Sequence, residues 1–444
     1  MSLLRPIHHT FAPLGDLNQC LRSIGLLVQP WKWKRGPAPQ SLKNALKHFF
    51  GADAFLYGSG REGLHALLRA MHLRAGEEVI VQGYTCAVVA NAIHAAGGVP
   101  VYSDITLETL SFDMSAIERS ITKHTRAIIC QHTFGIPADG ETLRALCDRH
   151  TLFLIEDCAH VIPDRVGPAG IGHYGDFVLL SFGRDKAISG VAGGAILSRN
   201  PSVTQNLKTQ EHSLIDYSLW TIFRYLLYPL LYRFARPFYG LWLGKAFLAI
   251  AGKTRILLPI LEPDEKKGSM SPLLHSIPNA CATLALAQWN KRTTINDHRR
   301  MLTGFYLTHF VGAYRDTPLQ IKNQQSKIYL WPSAITSDLP LQKFPIFIEN
   351  TQEMRKRLKR ENIHLDDGWT GCVICPESVE LDALHYEWGK DPVAEGLCQQ
   401  ILNLPTHPGM SLKDGQRLVK VLDTLISKSE IRDLKSETNL NTEA

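Results

Sequence analysis

LFLIEDCAH, residues 152–160, and DFVLLSFGRDKAISGVAGG, residues 176–194, lie either side of a loop near the middle of the chain. The apolar runs Leu152–Ile155 and Phe177–Leu180 read as two buried strands. Each ends in polar residues. The first delivers Glu156, Asp157 and His160; the second delivers Ser181 and, after a short turn, Lys186. In an open parallel sheet the ligand crevice lies outside the carboxyl ends of the strands. A carboxylate, a hydroxyl and an amine are therefore expected to face one crevice.

Upstream, the same alternation recurs. FLYGSGREGLHALLRAMHLRAG reads as strand, glycine turn, helix and glycine stop, with Leu64, Leu67, Leu68 and Met71 on one helical face. Gly58-Ser59-Gly60 opens that helix, where free backbone N–H groups and the helix dipole favour an anion. EVIVQGY, VPVYSDI and RAIICQHT follow as strands, separated by helices at 85–98, near Asp113–Ser120 and at 140–151. Solid apolar strands alternating with helices predict an α/β fold: a mostly parallel sheet sandwiched by helices.

Working outward, residues 1–50 read as an N-terminal arm and a helix. PWKWKRGPAPQ is a loop, and SLKNALKHFFG is a helix with Ser41 as N-cap and Gly51 as stop. Residues 51–204 form the large domain. Residues 205–270 are an insertion whose centre, 216–252, mixes Leu, Tyr, Phe and Trp with Arg224, Arg233, Arg236 and Lys245. No uncharged window there reaches the ~18–20 residues of a spanning helix, and Pro229 and Pro237 are expected to break it. It reads equally as a membrane-interface segment and as a buried or dimer-covering hairpin. Residues 271–427 read as a helix and a smaller C-terminal α+β domain, with PVAEGLCQQILNL as a helix; residues 428–444 are a polar tail expected to fray.

Composition excludes some functions. Forty-eight basic against 42 acidic residues give a net charge of +6, modest for 444 residues and without a long basic run, so no nucleic-acid partner is expected. The opening MSLLRPIHHTFAP lacks the apolar core of a signal peptide. Nine scattered cysteines suit a reducing compartment, and the lone CVIC at 372–375 lacks the second pair of a zinc site, so no metal is expected.

Taken in order, GSGREGLHALLRA, PVYSDITLETLSFD, HTFGIPADGETLRALCDRH, LIEDCAH, GDFVLLSFGRDK, AGGAILS, LALAQ and LNLPTHPGMS resemble the DegT/DnrJ/EryC1/StrS sugar aminotransferases, which are fold-type I pyridoxal phosphate enzymes. The resemblance implies that Lys186 is the Schiff-base lysine and catalytic residue. It implies that Asp157 pairs with the pyridinium nitrogen, that His160 lies near the ring oxygen, and that Ser181, Ser59 and Gly60 hold the phosphate. Cys86 stands where relatives place an aromatic residue or histidine over the ring, with Tyr84 as a substitute. His407 reads equally as an entrance residue and a structural one. Two further departures are Ala192, for an acidic residue, and HSIPNAC, for a segment that lends phosphate contacts across a dimer.

The activity implied is transfer of an amino group, from glutamate, to a nucleotide-linked keto sugar in amino-sugar or surface-polysaccharide biosynthesis. A homodimer is expected, in the cytoplasm and peripheral on the inner face of the membrane. The rival readings are a sugar dehydratase, against which the retained Lys186 counts, and a membrane-associated non-catalytic relative.

Overall fold

The computed structural model describes residues 5–9, 16–166, 170–313 and 331–440. Seven strands form the central sheet: β1 (Asp53–Tyr57), β2 (Glu78–Gln82), β3 (Val99–Ser103), β4 (Thr125–Gln131), β5 (Phe153–Asp157), β6 (Phe177–Ser181) and β7 (Gly194–Ser198). Their spatial order is β1-β7-β6-β5-β4-β2-β3. Only β7 runs antiparallel to its neighbours, pairing with β1 on one side and β6 on the other. The mostly parallel α/β architecture expected from the apolar runs is the one observed.

Both faces of the sheet are dry, which is why the strands read as nearly continuous apolar runs. Along β1, Phe55 and Tyr57 join the core beneath the helix Gly60–Ala70, whereas Ala54 and Leu56 join the core beneath the helix Ala38–Phe50. Along β6, Phe177 and Leu179 alternate with Val178 and Leu180 in the same way. The helix Ala38–Phe50 begins a turn before the expected Ser41 cap. Its first N–H, at Ala38, is accepted instead by the side chain of Asn279, a distant residue. Gly51 does end it, at φ +61°.

Beyond the sheet, a second helix, Leu17–Leu27, lies where the sequence suggested only an arm, with Asp16 as its cap. In the insertion, Pro229 does not break the chain: it sits inside a helix, Leu219–Ala235, while Pro237 occupies a short 3₁₀ turn before a helix at Leu243–Lys253. Packing of Ile222 and Leu226 into one core with Leu26, Trp33, Ala280 and Leu284 offsets the cost of the missing N–H. In the small domain the expected helix ends at Gln400. Ile401–Pro405 is instead a strand, antiparallel to Lys343–Phe347. The final helix, Leu412–Leu440, takes in most of the tail marked for fraying, and 441–444 lie outside the described residues.

The N-terminal arm is part of the small domain. Ile7 and His8 pair in parallel with Ile363 and His364. His407 Nδ1 accepts the Gly409 N–H, so its Nε2 donates to the His8 carbonyl at 2.7 Å, and His9 Nε2 lies 2.7 Å from the Asn403 carbonyl. Burial lowers all four rings, His407 to about 3 and His9 and His364 to about 4, with His8 well below its usual value.

Two expectations follow from this packing. Below pH 6.5 the unfolded chain takes up protons that the four folded histidines refuse, so stability falls as pH falls. The slope is on the order of 1.4 kcal/mol per pH unit for each histidine involved; urea midpoints between pH 7 and pH 5 measure it, and His407→Gln should flatten the slope. Separately, a Cβ on Gly194 would overlap the Gly60 backbone nitrogen, far inside van der Waals contact. Gly194→Ala is expected to cost about 2–3 kcal/mol, read by the same titrations.

Candidate active site

The carboxyl edge of the sheet gathers chemistry from strands far apart in sequence. β5 ends on Asp157, β6 on Ser181, and β1 runs into Ser59 and Gly60. Because β7 is antiparallel, its first residue, Gly194, pairs with both Tyr57 and Ser181. Strand ends that carry the two serines are thereby drawn together. A Cβ on Gly60 would lie 3.0 Å from Ser181 Cβ and 3.2 Å from its Oγ. One on Gly183 would lie 3.4 Å from Lys186 Cγ and 3.6 Å from Ser181 Oγ. These glycines leave a concave cradle beside Lys186.

Ser59 caps the helix Gly60–Ala70 with its own hydroxyl, which accepts the Glu62 N–H at 3.2 Å. The N–H groups of the first turn face the cradle with the dipole's positive end. Glu62 reaches back to the Ser59 hydroxyl, which it accepts at 3.3 Å, and not to the Ser59 backbone N–H of a capping box. Its carboxylate takes the Tyr217 hydroxyl at 2.9 Å and the His275 N–H at 2.5 Å, and the Tyr217 and His275 rings stack at 4.1 Å. The insertion and the HSIPNAC segment thus close the cradle's outer wall from within the same chain.

The Lys186 loop is held from four directions. Gln342 Nε2 donates to the Asp185 carbonyl at 2.5 Å, and buried Arg299 donates to the Ala187 carbonyl at 2.6 Å. The Ser189 N–H reaches Gln288 Oε1 at 2.7 Å, and Arg184 donates to the Leu258 and Pro259 carbonyls. Burial pushes the Lys186 amine down, but the charges of Asp185, Cys86 and Asp157 outweigh it and hold the amine above its usual range. Asp157 is raised by burial, against the Ala159 N–H, which it accepts at 2.8 Å, and the Lys186 and His132 charges.

His160 is neutral: burial, then the charges of Lys186 and Lys343, pull it well below its usual value. Its Nδ1 accepts the Phe134 N–H at 3.3 Å, so Nε2 carries the proton as a donor. Phe134 stacks on it and Trp369 meets it edge-on, with centroids 5.6 and 5.0 Å away. Tyr84 does not substitute for an aromatic at position 86. It is fully buried, and its hydroxyl donates to the Trp369 carbonyl at 2.7 Å. Cys86 itself is half-buried at the start of the helix Ala87–Ala95, directly paired across a parallel bridge with Cys375. The Cys375 thiol, against burial and helped by Lys186, draws Cys86 down to about 7.

Several members of this cluster carry no local motif. Phe134 holds a left-handed backbone, φ 55°. Lys343 and Asp367 form a buried pair at 2.9 Å, and the Lys343 ammonium lies over the Phe134 ring at 5.4 Å. Glu156 turns away from the crevice. It accepts the Gly172 and Gly175 N–H groups at 2.7 and 2.6 Å and faces His132 Nε2 at 3.1 Å, pinning the 170–175 loop. His407, tied to His8, is structural. Among the described residues no group of three or more His, Cys, Asp or Glu side chains could hold a metal ion.

Comparison with known proteins agrees with this geometry. Residues 21–216 and 267–423 match the DegT/DnrJ/EryC1/StrS aminotransferase family. The chain is 32% identical over 185 residues to a GDP-perosamine synthase of Vibrio cholerae, spanning 41% of this chain and about half (49%) of that relative. It is 23% identical over 416 residues to a UDP-N-acetyl-3-dehydro-alpha-D-glucosamine 3-aminotransferase of Acidithiobacillus ferrooxidans, covering 93% of this chain and 94% of that protein. Among solved structures, NtdA of Bacillus subtilis superposes with a TM-score of 0.69 at 19% identity, over 94% of this chain and 83% of that one. DesI superposes at 0.67 and 18%, over 98% and 96%. The unmatched gap, 217–266, coincides with the aromatic insertion. With its sheet order, its crevice and its sequence all in accord, this chain belongs to the DegT/DnrJ/EryC1/StrS aminotransferase family.

Proposed function

We propose that the protein is a pyridoxal phosphate-dependent aminotransferase, moving an amino group from glutamate to the keto group of a nucleotide-linked sugar in amino-sugar or surface-polysaccharide biosynthesis. The observation that carries this reading is the convergence of Lys186 and Asp157 from adjacent strands beside a cradle that Gly60, Gly183 and Ser181 leave open. The donor set suits the cofactor: a buried amine, a buried carboxylate and an anion-binding helix start. Lys186 would hold its aldehyde carbon, Asp157 its ring nitrogen, His160 its ring oxygen, Cys86 one face of the ring, and Ser59, Gly60 and Ser181 its phosphate. When bound, the cofactor supplies an electron sink for a carbanion.

The chain supplies the rest. Lys186 Nζ would accept the proton that leaves the substrate carbon and carry it to a different atom, its loop held in place by the Gln342 and Arg299 contacts. Asp157, acting as a carboxylate, holds a proton on its partner nitrogen. The Phe134–Trp369 cluster packed on His160 excludes water from that side of the crevice. Retention of an amine at 186 disfavours the dehydratase alternative. The enzyme is further read as a homodimer, cytoplasmic and peripheral on the inner face of the membrane, with 216–252 turned to the lipid interface; no helix among the described residues is long and apolar enough to cross a bilayer.

Adding pyridoxal phosphate to the purified protein should give a visible absorbance band that Lys186→Ala abolishes. Amination of a panel of nucleotide-linked keto sugars, followed by mass spectrometry, should fall at least about 100-fold in that variant. A wild-type protein that takes up no pyridoxal phosphate at saturation overturns the reading. Cys86 should alkylate with a midpoint near pH 7, faster as pH rises through it, and Lys186→Ala should move that midpoint upward. Iodoacetamide labelling read by peptide mass spectrometry checks both.

A further inference from the structure

One face of the molecule, formed by the N-terminal helix and the insertion, is built differently from the rest. The helix Leu17–Leu27 packs on the insertion: Cys20 Sγ donates to the Pro229 carbonyl at 3.6 Å, and Leu26 shares a core with Ile222 and Leu226. Its opposite stripe, Leu17, Leu21, Ile24 and Val28, stands in solvent at helical spacing, followed by Trp31 at 72% exposure. Alongside, the insertion exposes Trp220, Phe234, Phe238 and Trp242 (64%). A contiguous exposed apolar patch of this kind marks an interaction site.

Charge says what covers it. No acidic residue occurs in 17–52 or in 217–261, the two segments that carry the patch, whereas basic residues run through both. Between these segments lies a cavity of about 430 Å³, lined by Arg5, Arg22, Arg233, Arg236, Lys291 and His298. Asp16, the one carboxylate lining it among the described residues, accepts the Asn18 N–H as a helix cap. Arg5 and Arg236 both donate to the carbonyl of Gly409, at 2.7 and 3.0 Å, which brings two like charges to one rim of the cavity. Asp414, whose charge acts on Arg236, accepts the Ser411 N–H and hydroxyl. Exposed Leu17 lines the cavity too, and exposed Leu21 and Phe234 are the sequence neighbours of its Arg22 and Arg233.

We infer that this face docks on an anionic lipid bilayer: the N-terminal helix and the insertion seat their apolar side chains among the acyl chains, and the basic cavity between them takes a phosphate headgroup. Interleaved cations and aromatic residues at the rim suit the headgroup level of a bilayer. A second copy of the chain is a poorer occupant, because a twofold interface would set these cations against themselves. The inference rests on the membrane-facing reading of 216–252 and adds to it a second helix and a ligand chemistry.

The test is flotation of the full-length protein with vesicles of phosphatidylcholine alone or with phosphatidylglycerol. Binding to the phosphatidylglycerol vesicles should be at least tenfold the stronger and should weaken with salt. Arg22→Glu with Arg233→Glu should abolish that preference; Leu21→Asp with Ile24→Asp should abolish binding to both. Circular dichroism and thermal unfolding check that each variant folds, with Arg22→Gln, Lys291→Gln and Trp31→Ser as milder replacements. Equal binding to both vesicles, unchanged by the charge variants, overturns the headgroup site while sparing the interfacial reading of the insertion. Absence of vesicle binding overturns both. Protection by inorganic phosphate without vesicle binding reassigns the cavity to a soluble anion. A dimer in solution that Leu21→Asp dissociates, without lipid binding, assigns the face to a second copy.

Discussion

Everything at the crevice depends on how closely Gly194 passes the backbone of Gly60. β7 is the one strand that runs against its neighbours, so its first residue lies where β1 and β6 end. Were there a side chain at 194, the start of the helix Gly60–Ala70 would be driven off the sheet edge, and Ser59 would part from Ser181. The approach costs no side-chain packing, since both residues are glycine, and it aims the first turn of that helix at the same space as Lys186. A small steric allowance at one position thus sets the geometry of an anion cradle assembled from distant parts of the chain.

Around that cradle the electrostatics are those of an interior, not a surface. Lys186 is surrounded by Asp157, Asp185 and Cys86: their charges hold its amine up against burial, and its own charge helps hold Asp185 down, whereas at Asp157 burial outweighs it and raises the carboxyl. His160 is a neutral donor by tautomer, fixed by the Phe134 N–H at its other nitrogen, and His132 Nδ1 accepts the Ala138 N–H in the same way. Side chains from the long helix Arg292–Ala313, from Asn279–Trp289 and from the small domain all tie to the Lys186 loop. The lysine is mobile only at its own end.

How far the sequence carried this picture follows from the range of the interactions involved. Apolar runs, glycine stops and polar strand ends are local, so the sheet, its two covered faces and the positions of Asp157, Ser181 and Lys186 could be read directly. Pairings across the chain could not. Nothing near Cys86 announces Cys375 opposite it, and nothing near His160 announces Phe134 and Trp369. Asn279 capping the helix at Ala38 moved a boundary that local propensity placed at Ser41. The stripe Leu17–Val28 escaped notice because its apolar residues face outward, while its polar Gln19 and Ser23 are buried. Pro229 was read as a breaker on propensity that tertiary packing overrode. Ile401–Pro405 has no helical fault of its own; Lys343–Phe347 claims it as a strand.

The arm at Ile7 and His8 adds a last consequence. Ile7 and His8 pair as a strand with Ile363 and His364, and His8 accepts from His407, so the small domain is built from residues 399 apart in sequence. Tyr239 of the insertion packs edge-on against His8 and His364 at the same spot. A displacement of the small domain relative to the insertion would therefore have to break these ring contacts and the Ile7–Ile363 pairing together.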